Sequence, residues 1–372
     1  VLKHKELTEL LMDPEVVSDP KKIMEYNKAL NSIDEVVQKY TYYTNIDMKG
    51  TVSRMKNLKF LVVLVLSVVI FAAACGNSSS LNNNKSSDSG SDSKSGSYTP
   101  KELTVQFVPS QNADTLEAKA KPLEKLLSDK LGIPVKVSVS TNYNTIVEAM
   151  KSKKVDVGFL PPTAYTLAHD QKAADLLLKA ERYDVNEDGS PSKKLVDDYK
   201  SEILVKKDSG INSLKDLKGK KIALQDVTST AGYTFPLVTL KKEAGIDATK
   251  DMKIVNVKGH DQAVISLLNG DVDAAAVFND ARTVVKKDQP NVFKDTKILK
   301  LTKPIPNDTI SVRPDMDKKF QDKLKKAFKE ISKTKKGHKI ISEVYSHEGY
   351  VDTKDSDFDI VRQYEKAVHD MK

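Results

Sequence analysis

The sequence contains no tryptophan and one cysteine, Cys75. A single cysteine cannot form an internal disulfide, and it excludes a cysteine-rich metal site. The six histidines lack the paired spacing of metal ligands, and the chain has no phosphate-binding glycine loop, dinucleotide fingerprint or Gly-x-Ser-x-Gly motif. These absences exclude the common motif-bearing metal, nucleotide and hydrolase classes, and no metal or cofactor is predicted.

The net charge of the 372-residue chain is +8, from 60 basic and 52 acidic residues. A basic balance can indicate nucleic acid, an anionic surface or an anionic ligand. The lysines are interspersed with aspartate and glutamate, which favours a solvated surface. The strongly basic stretch 323–339 is interpreted in the same way, although it could touch anionic lipid or wall polymer. No nucleic-acid partner is predicted.

An apolar run, residues 60–74, precedes Cys75 and follows two lysines. The run is shorter than the roughly 20 residues that span a bilayer, and it matches the core of a signal peptide. Three alanines lead into Cys75, and this segment resembles the lipobox of bacterial lipoproteins. The resemblance implies a signal peptide at 55–75, acylation of Cys75 and a lipid anchor at the outer face of a bacterial cell membrane.

Residues 76–100 are dominated by serine, asparagine, glycine, aspartate and lysine. Such a segment cannot bury enough apolar surface to fold. We predict a disordered, flexible tether between the anchor and a folded part.

Residues 1–54 are predicted to form a helical extension, since apolar residues recur at helical spacing. Residues 5–47 resemble the N-terminus of bacterial peptide chain release factors. The Gly-Gly-Gln tripeptide that catalyses peptide release in that family is absent here. The extension is therefore interpreted as a fusion or an over-extended gene model, and a release-factor fragment without catalytic activity is kept as an alternative class.

Strand and helix patterns alternate from residue 102 onward, restart near 201 and return at 308–315. This alternation predicts an α/β fold with doubly wound sheets. We expect two α/β lobes around a ligand cleft: lobe 1 comprises 101–200 and 306–372, and lobe 2 comprises 201–305. Ligands of open α/β sheets bind at the carboxyl ends of the strands.

Four motifs, at 143–168, 213–236, 259–280 and 304–312, resemble the phosphonate-binding proteins of bacterial ABC importers. The resemblance implies a type II periplasmic-binding fold, capture of a phosphonate without any enzymatic step, and delivery to a permease in the membrane. One implied ligand is 2-aminoethylphosphonate. Phosphite, phosphate or an organophosphate remains an alternative small phosphorus-oxyanion ligand.

The anion end of the implied site lies at residues 228–236, which follow a strand and open a predicted helix. Ser229 and Thr230 offer hydroxyl donors. The backbone N–H groups of Thr230, Ala231 and Gly232 would point out of the helix N-terminus, where anions are stabilised. By resemblance, the imidazole of His260 donates to the phosphonate oxygens. The alternatives are an N-cap for the hydroxyl cluster and a core or capping role for the histidine.

The rest of the implied site holds the organic part of the ligand. By resemblance, Tyr143 and Tyr165 line the cleft, and an aromatic wall suits an alkyl group. Asp280 and Asp308 match two acids that hold an ammonium group in the family. Ordinary packing of the tyrosines and surface turns at the aspartates are the alternatives. A hydrolase that uses Ser229 is a further class, but no base at a fixed spacing is evident.

Overall fold

The computed structural model describes residues 97–186, 189–279 and 281–371. These residues belong to one compact unit. The predicted extension, the signal peptide with Cys75, the tether as far as residue 96, and Asp280 lie outside the described residues. None of the described helices has both the length and the apolar content of a membrane-spanning segment.

The first sheet has seven strands in the described part of the chain. Its parallel core is β1 (Leu103–Phe107) between β2 (Val135–Val139) and β3 (Val157–Leu160). Four further strands extend it through antiparallel pairings: β4 (Asp175–Val185), β5 (Pro191–Val196), β13 (Thr309–Val312) and β14 (Gly349–Val351). All these strands come from lobe 1.

The second sheet repeats this plan with five strands among the described residues, all from lobe 2. Its parallel core is β8 (Lys221–Leu224) between β9 (Lys253–Asn256) and β10 (Ala274–Phe278). β7 (Ser201–Lys206) is antiparallel to β10 and to β11 (Thr296–Leu301). Where the chain passes between the sheets, β6 (Asp198–Tyr199) pairs with β12 (Ile305–Pro306).

Helices pack around both sheets. The helices of lobe 1 are α1 (Ala113–Ala120), α2 (Leu123–Leu131), α3 (Tyr143–Lys151), α4 (Pro162–Asp170), α10 (Lys318–Ser332), α11 (Lys335–Tyr345) and α12 (Asp359–His369). The helices of lobe 2 are α5 (Phe235–Ala244), α6 (Ala248–Asp251), α7 (His260–Asn269), α8 (Ala281–Val285) and α9 (Val292–Asp295). Two 3₁₀ turns, Leu214–Leu217 and Asp355–Phe358, and one π-helix, Thr230–Thr234, complete the described elements.

The core of lobe 1 follows from side-chain periodicity. Alternate residues of β1 are buried, as expected for a strand whose side chains point to opposite faces. The rings of Phe107 and Phe159 stack 4.1 Å apart, which joins neighbouring strands β1 and β3. On α10 the buried residues recur at helical spacing, including Phe320, Leu324 and Phe328, so the lysines face outward.

The predicted alternation of strands and helices is confirmed in both lobes, but the sheets are mixed. After each crossing between the lobes, the strand that joins the sheet first, β7 in lobe 2 and β13 in lobe 1, runs against the parallel core. The hairpin of β4 and β5 was not predicted. This omission affects the site, because β4 carries a buried arginine, Arg182.

Candidate ligand-binding site

A cavity of about 40 Å³ lies between the two lobes. Its walls are formed where parallel strands end: Val108 follows β1, Pro161 follows β3, and Phe278 ends β10. This is the expected place for a ligand in open α/β sheets. The volume corresponds to a few water-sized groups, so the cavity suits a small ligand.

The π-helix and α5 form one continuous helical segment whose start faces the cavity. Ser229 is its N-cap, and its Oγ accepts a hydrogen bond from the N–H of Gly232 at 3.2 Å. Ser229, Thr230 and Ala231 all line the cavity and are almost fully buried. Since the first N–H groups of a helix lack partners within the helix, this end of the cavity attracts anions.

Tyrosine hydroxyls surround the same end. Tyr143 lies beside Ser229 and Tyr199 lies beside Thr230, and all four residues line the cavity. Burial, helped by the negative charge of Asp308, raises the pKa of Tyr143 and Tyr199 well above the usual range. Both phenols therefore stay protonated and keep a proton to donate.

His260 is the first residue of α7 and is 4% exposed. Its Nδ1 accepts the N–H of Phe278 at 3.3 Å, which places the proton of the neutral ring on Nε2. Burial, together with the positive charge of Arg182, lowers the pKa of His260 to about 3. The imidazole that lines the cavity is thus a neutral donor, and a nearby dianion would shift it back toward its protonated form.

Arg182 lines the cavity and is 4% exposed. Its guanidinium carbon lies 5.3 Å from the centroid of the Tyr199 ring and 5.5 Å from that of Phe278. Cation–π contacts of this kind hold the guanidinium against the aromatic wall. Arginine cannot lose its charge in a protein, so the wall carries a permanent positive charge.

Asp308 supplies the opposite charge in the cavity wall. Its Oδ2 lies 3.5 Å from Nε2 of His347, which is buried behind the cavity. The backbone N–H of Asp308 donates to Oδ1 of Asn307 at 2.9 Å, and this contact fixes the turn before β13. The site is therefore polarised, with donors and a cation at one part of the wall and a carboxylate at another.

Residues 105–358 match the sequence model of one protein family. That family is described as "ABC transporter, phosphonate, periplasmic substrate-binding protein". The chain belongs to this family.

Individual relatives agree with this assignment. The phosphate-import protein PhnD of Mycolicibacterium smegmatis is 32% identical over 187 residues, 48% of this chain and 56% of that protein. The phosphonates-binding periplasmic protein of Escherichia coli is 26% identical over 238 residues, 63% of this chain and 67% of that protein. The match thus spans little more than half the length of the mycobacterial relative.

Solved structures agree with the predicted fold. PhnD1 from Prochlorococcus marinus, solved in complex with methylphosphonate, has a TM-score of 0.63 at 20% identity and covers 73% of this chain and 99% of that chain. The type II periplasmic-binding protein fold is confirmed.

A separate, short match concerns release factors. Peptide chain release factor 1 of Bacillus subtilis is 51% identical over 41 residues, 11% of this chain and 12% of that protein. The predicted resemblance to release factors is confirmed, but the match is too short to assign the chain to that family.

The structure brings most of the implied ligand residues of this periplasmic protein to one cavity. They are Tyr143, Ser229, Thr230, Ala231, His260 and Asp308. Tyr165 is different. It is fully buried, its hydroxyl donates to Oδ1 of Asp355 at 2.7 Å, and its ring contacts Phe358. The expectation that Tyr165 lines the cleft is corrected, because its face of α4 packs against the C-terminal 3₁₀ turn. Asp280 lies outside the described residues.

Sequence reasoning missed several lining residues, above all Arg182 and Tyr199. Both lie on strands of the segment 175–199, for which no strand was predicted. A signal was available: Leu176, Leu177 and Leu178 form an apolar run typical of a buried strand. Extending that strand to Val185 would have placed an arginine in a sheet interior, where a buried charge needs a functional or structural reason.

The two lobes are in direct contact beside the cavity. The N–H of Thr163 donates to Oγ1 of Thr230 at 2.8 Å, and the N–H of His260 donates to the carbonyl oxygen of Ser110 at 2.8 Å. The N–H of Asn112 donates to Oδ2 of Asp261 at 3.1 Å. These contacts link lobe 1 to lobe 2 in a closed arrangement around the candidate site.

Proposed function

We propose that this chain is the receptor of an ABC importer that captures a small phosphorus oxyanion, with phosphonates as the first candidate class. One observation carries the proposal: a cavity of about 40 Å³ between the lobes gathers helix N–H groups, hydroxyls, a neutral imidazole and a guanidinium around one small volume. Such convergent donors suit the oxygens of a tetrahedral anion.

The family and its relatives support this ligand class. The mycobacterial relative is named for phosphate import, the enterobacterial one for phosphonates, and a Prochlorococcus relative for phosphite. These names support the class of small phosphorus oxyanions; we propose a phosphonate as the first candidate ligand, with phosphate or phosphite as the alternative. No bond of the ligand is made or broken in this role, because a receptor only binds and releases.

Delivery to a permease follows from closure. The contacts Thr163–Thr230 and Ser110–His260 exist when the lobes meet. A ligand that touches both lobes has a higher affinity for this closed state and shifts the population toward it. A membrane permease that recognises the closed pair of lobes would then receive loaded receptor in preference to free receptor.

The ligand class is tested by isothermal titration of the full chain, purified in a mild detergent because of its apolar run at residues 60–74. The titrants are methylphosphonate, 2-aminoethylphosphonate, phosphite, phosphate and sulfate. We expect nanomolar to micromolar affinity for at least one phosphorus oxyanion and a weaker affinity for sulfate. Absence of binding by all four phosphorus compounds at millimolar concentration contradicts the proposed function.

We also propose that Cys75 carries the lipid anchor and that the folded part acts at the outer face of the cell membrane. The support is the apolar run at 60–74 followed by a cysteine and a polar tether. In a bacterial host, Cys75→Ser should move the protein from the membrane fraction to the soluble fraction or leave an unprocessed precursor. Cys75→Ser protein that is processed and membrane-bound like the wild type contradicts the anchor.

A further inference from the structure

The C-terminal helix α12 contacts both lobes, although its position in the chain assigns it to lobe 1. It follows β14 and the 3₁₀ turn Asp355–Phe358. It packs against α4 of lobe 1, and it also packs against the π-helix and α5 of lobe 2. The π-helix and α5 form the helical segment whose start faces the cavity. A helix of lobe 1 thus touches the segment of lobe 2 that carries the hydroxyl cluster of the candidate site.

Polar contacts hold α12 on lobe 1. Oε1 of Glu365 accepts a hydrogen bond from Oγ1 of Thr166 on α4 at 2.9 Å. The guanidinium of Arg362 donates to Oδ1 of Asp355 at 2.7 Å. The same oxygen accepts from the hydroxyl of Tyr165, which is also on α4. These contacts and the chain connection fix the position of α12 relative to α4.

The contacts of α12 with lobe 2 centre on Tyr364. Its ring stacks on that of Phe235, with the centroids 4.1 Å apart and the planes at 15°. Nζ of Lys242, also on α5, lies 4.9 Å from the centroid of the Tyr364 ring. Beyond the end of the helix, Nζ of Lys250 donates to the carbonyl oxygen of Met371 at 2.9 Å. Stacking and a cation near the ring make this a contact with a defined geometry.

Phe235 connects this contact to the cavity. It is fully buried, it is the first residue of α5, and its N–H donates to the carbonyl oxygen of Thr230. Thr230 lines the cavity, and its Oγ1 accepts from the N–H of Thr163 in lobe 1. A shift of Phe235 is therefore transmitted to the backbone at the start of the segment. Because groups that are already in place cost less entropy to order when a ligand binds, fixing this backbone favours binding.

The contacts of α12 also bear on closure, since under the proposed function the lobes part to admit a ligand. If α12 stays on α4 when they part, the stack of Tyr364 on Phe235 is disturbed. If it stays on α5, the hydrogen bond between Glu365 and Thr166 is disturbed. Both sets of contacts exist together in the closed arrangement, so they favour it. A ligand that binds the closed state benefits from this stabilisation.

We infer that Tyr364 is a positioning residue for ligand capture: by stacking on Phe235, it holds the start of the helical segment against lobe 1 and stabilises the closed, ligand-bound arrangement. The inference rests on the proposed function and adds a residue outside the described lining of the cavity. The role depends on the ring of Tyr364 and does not require its hydroxyl, because the contact with Phe235 is made by the face of the ring.

The test is isothermal titration of the full chain in mild detergent with methylphosphonate, 2-aminoethylphosphonate, phosphite and phosphate. Tyr364→Ala should weaken binding of the tightest of these ligands by at least fivefold. Tyr364→Phe keeps the stacking ring and should remain within about twofold of the wild type. Phe320→Ala is the matched control, because Phe320 is also 7% exposed and lies on α10, which packs on α2, α11 and β14 of lobe 1. It should lose stability and still bind within about twofold of the wild type.

Thermal unfolding shows whether each variant is folded at the temperature of the titration. If Tyr364→Ala is not, Tyr364→Leu takes its place, since leucine fills part of the space and cannot stack, and the expected loss is at least threefold. Wild-type affinity in the folded alanine or leucine variant overturns the inference. An equal loss of affinity in Tyr364→Phe or in Phe320→Ala overturns it as well. Failure of every phosphorus oxyanion to bind the wild type is a different result, and it removes the proposed function itself.

Discussion

The main-chain N–H of Thr163 in lobe 1 donates a 2.8 Å hydrogen bond to Oγ1 of Thr230 in lobe 2. Both residues are buried, and Thr230 also lines the cavity. One hydroxyl thus belongs to the wall of the cavity and to a contact that joins the lobes. Under the proposed function, this double role would couple ligand capture to closure at a single side chain.

Thr230→Val keeps the shape of the side chain and removes the hydroxyl, and we expect it to weaken ligand binding by at least tenfold. The reason is that a hydrogen bond to a charged group contributes about 1.5–3 kcal/mol. Isothermal titration with methylphosphonate and phosphate measures the effect. Thr230→Ser retains an Oγ and is the control, which should remain within about threefold of the wild type. Equal affinity of Thr230→Val and wild type would remove Thr230 from the site.

Gly259 allows the lobes to approach, and Gly259→Ala should weaken binding. Its φ of 106° is unfavourable for other residues, and an added Cβ would lie 3.1 Å from the backbone Cα of Gln111 in lobe 1. Closure would therefore be strained in addition to the local backbone cost.

Gly270→Ala is the matched control for Gly259→Ala. Gly270 also has a positive φ, 82°, but an added Cβ there meets open space at the other end of α7. Gly270→Ala should lose about 1 kcal/mol of unfolding free energy from the backbone cost alone, and Gly259→Ala should lose at least as much. Only Gly259→Ala should bind more weakly. Equal affinities in titration would show that closure at Gly259 does not limit binding.

The parts of the site that could be predicted are those with a local signal. Ser229, Thr230 and His260 each lie where a strand or turn gives way to a helix, and that pattern is visible in a short stretch of sequence. For Arg182 the local signal, the apolar run 176–178, indicates only a buried strand. Its place in the cavity depends on β4 pairing with β13, more than a hundred residues later.

Tyr165 shows the opposite error. Its motif resembles that of family members, but the direction of its hydroxyl is decided by Asp355, 190 residues further along the chain. Helical spacing fixes which residues share a face and leaves open which neighbour that face meets. The parallel cores of both sheets were predictable because the alternation of strands and helices is visible locally. The hairpin of β4 and β5 was missed because no strand was predicted in the segment 175–199.

His260 should make the ligand-free protein sensitive to acid. In the unfolded chain its pKa is 6.5, and burial lowers it to about 3 in the folded state. Between these values the unfolded state binds more protons, so stability is lost as the pH falls, by at most about 1.4 kcal/mol per pH unit from this group. His260→Gln removes this contribution while an amide can still accept the N–H of Phe278.

The measurement for His260 is guanidinium chloride unfolding of the wild type and His260→Gln between pH 7 and pH 4, in buffers without phosphorus oxyanions. The free energy of unfolding should fall less steeply with acid in the variant. Parallel curves would show that His260 does not carry the acid sensitivity. The same variant tests the site, since methylphosphonate should stabilise it less than it stabilises the wild type.

Glu365 on α12 should have the opposite effect to His260: its contribution to the free energy of unfolding should decrease as the pH rises. Its Oε1 accepts from Oγ1 of Thr166 on α4 at 2.9 Å, and burial raises its pKa from 4.5 to about 7. Between these values the folded state binds the additional proton, so this group's contribution to stability is lost as the pH rises through about 7. Glu365→Gln is neutral at every pH and should be more stable than the wild type at pH 8, with the two similar near pH 4.

Glu343→Gln, at an exposed carboxylate paired with Lys339, controls for the loss of one negative charge. Denaturant unfolding between pH 4 and pH 8 measures the free energy of unfolding of each protein. If Glu365→Gln loses stability with rising pH as steeply as the wild type, then Glu365 ionises without cost in the folded protein.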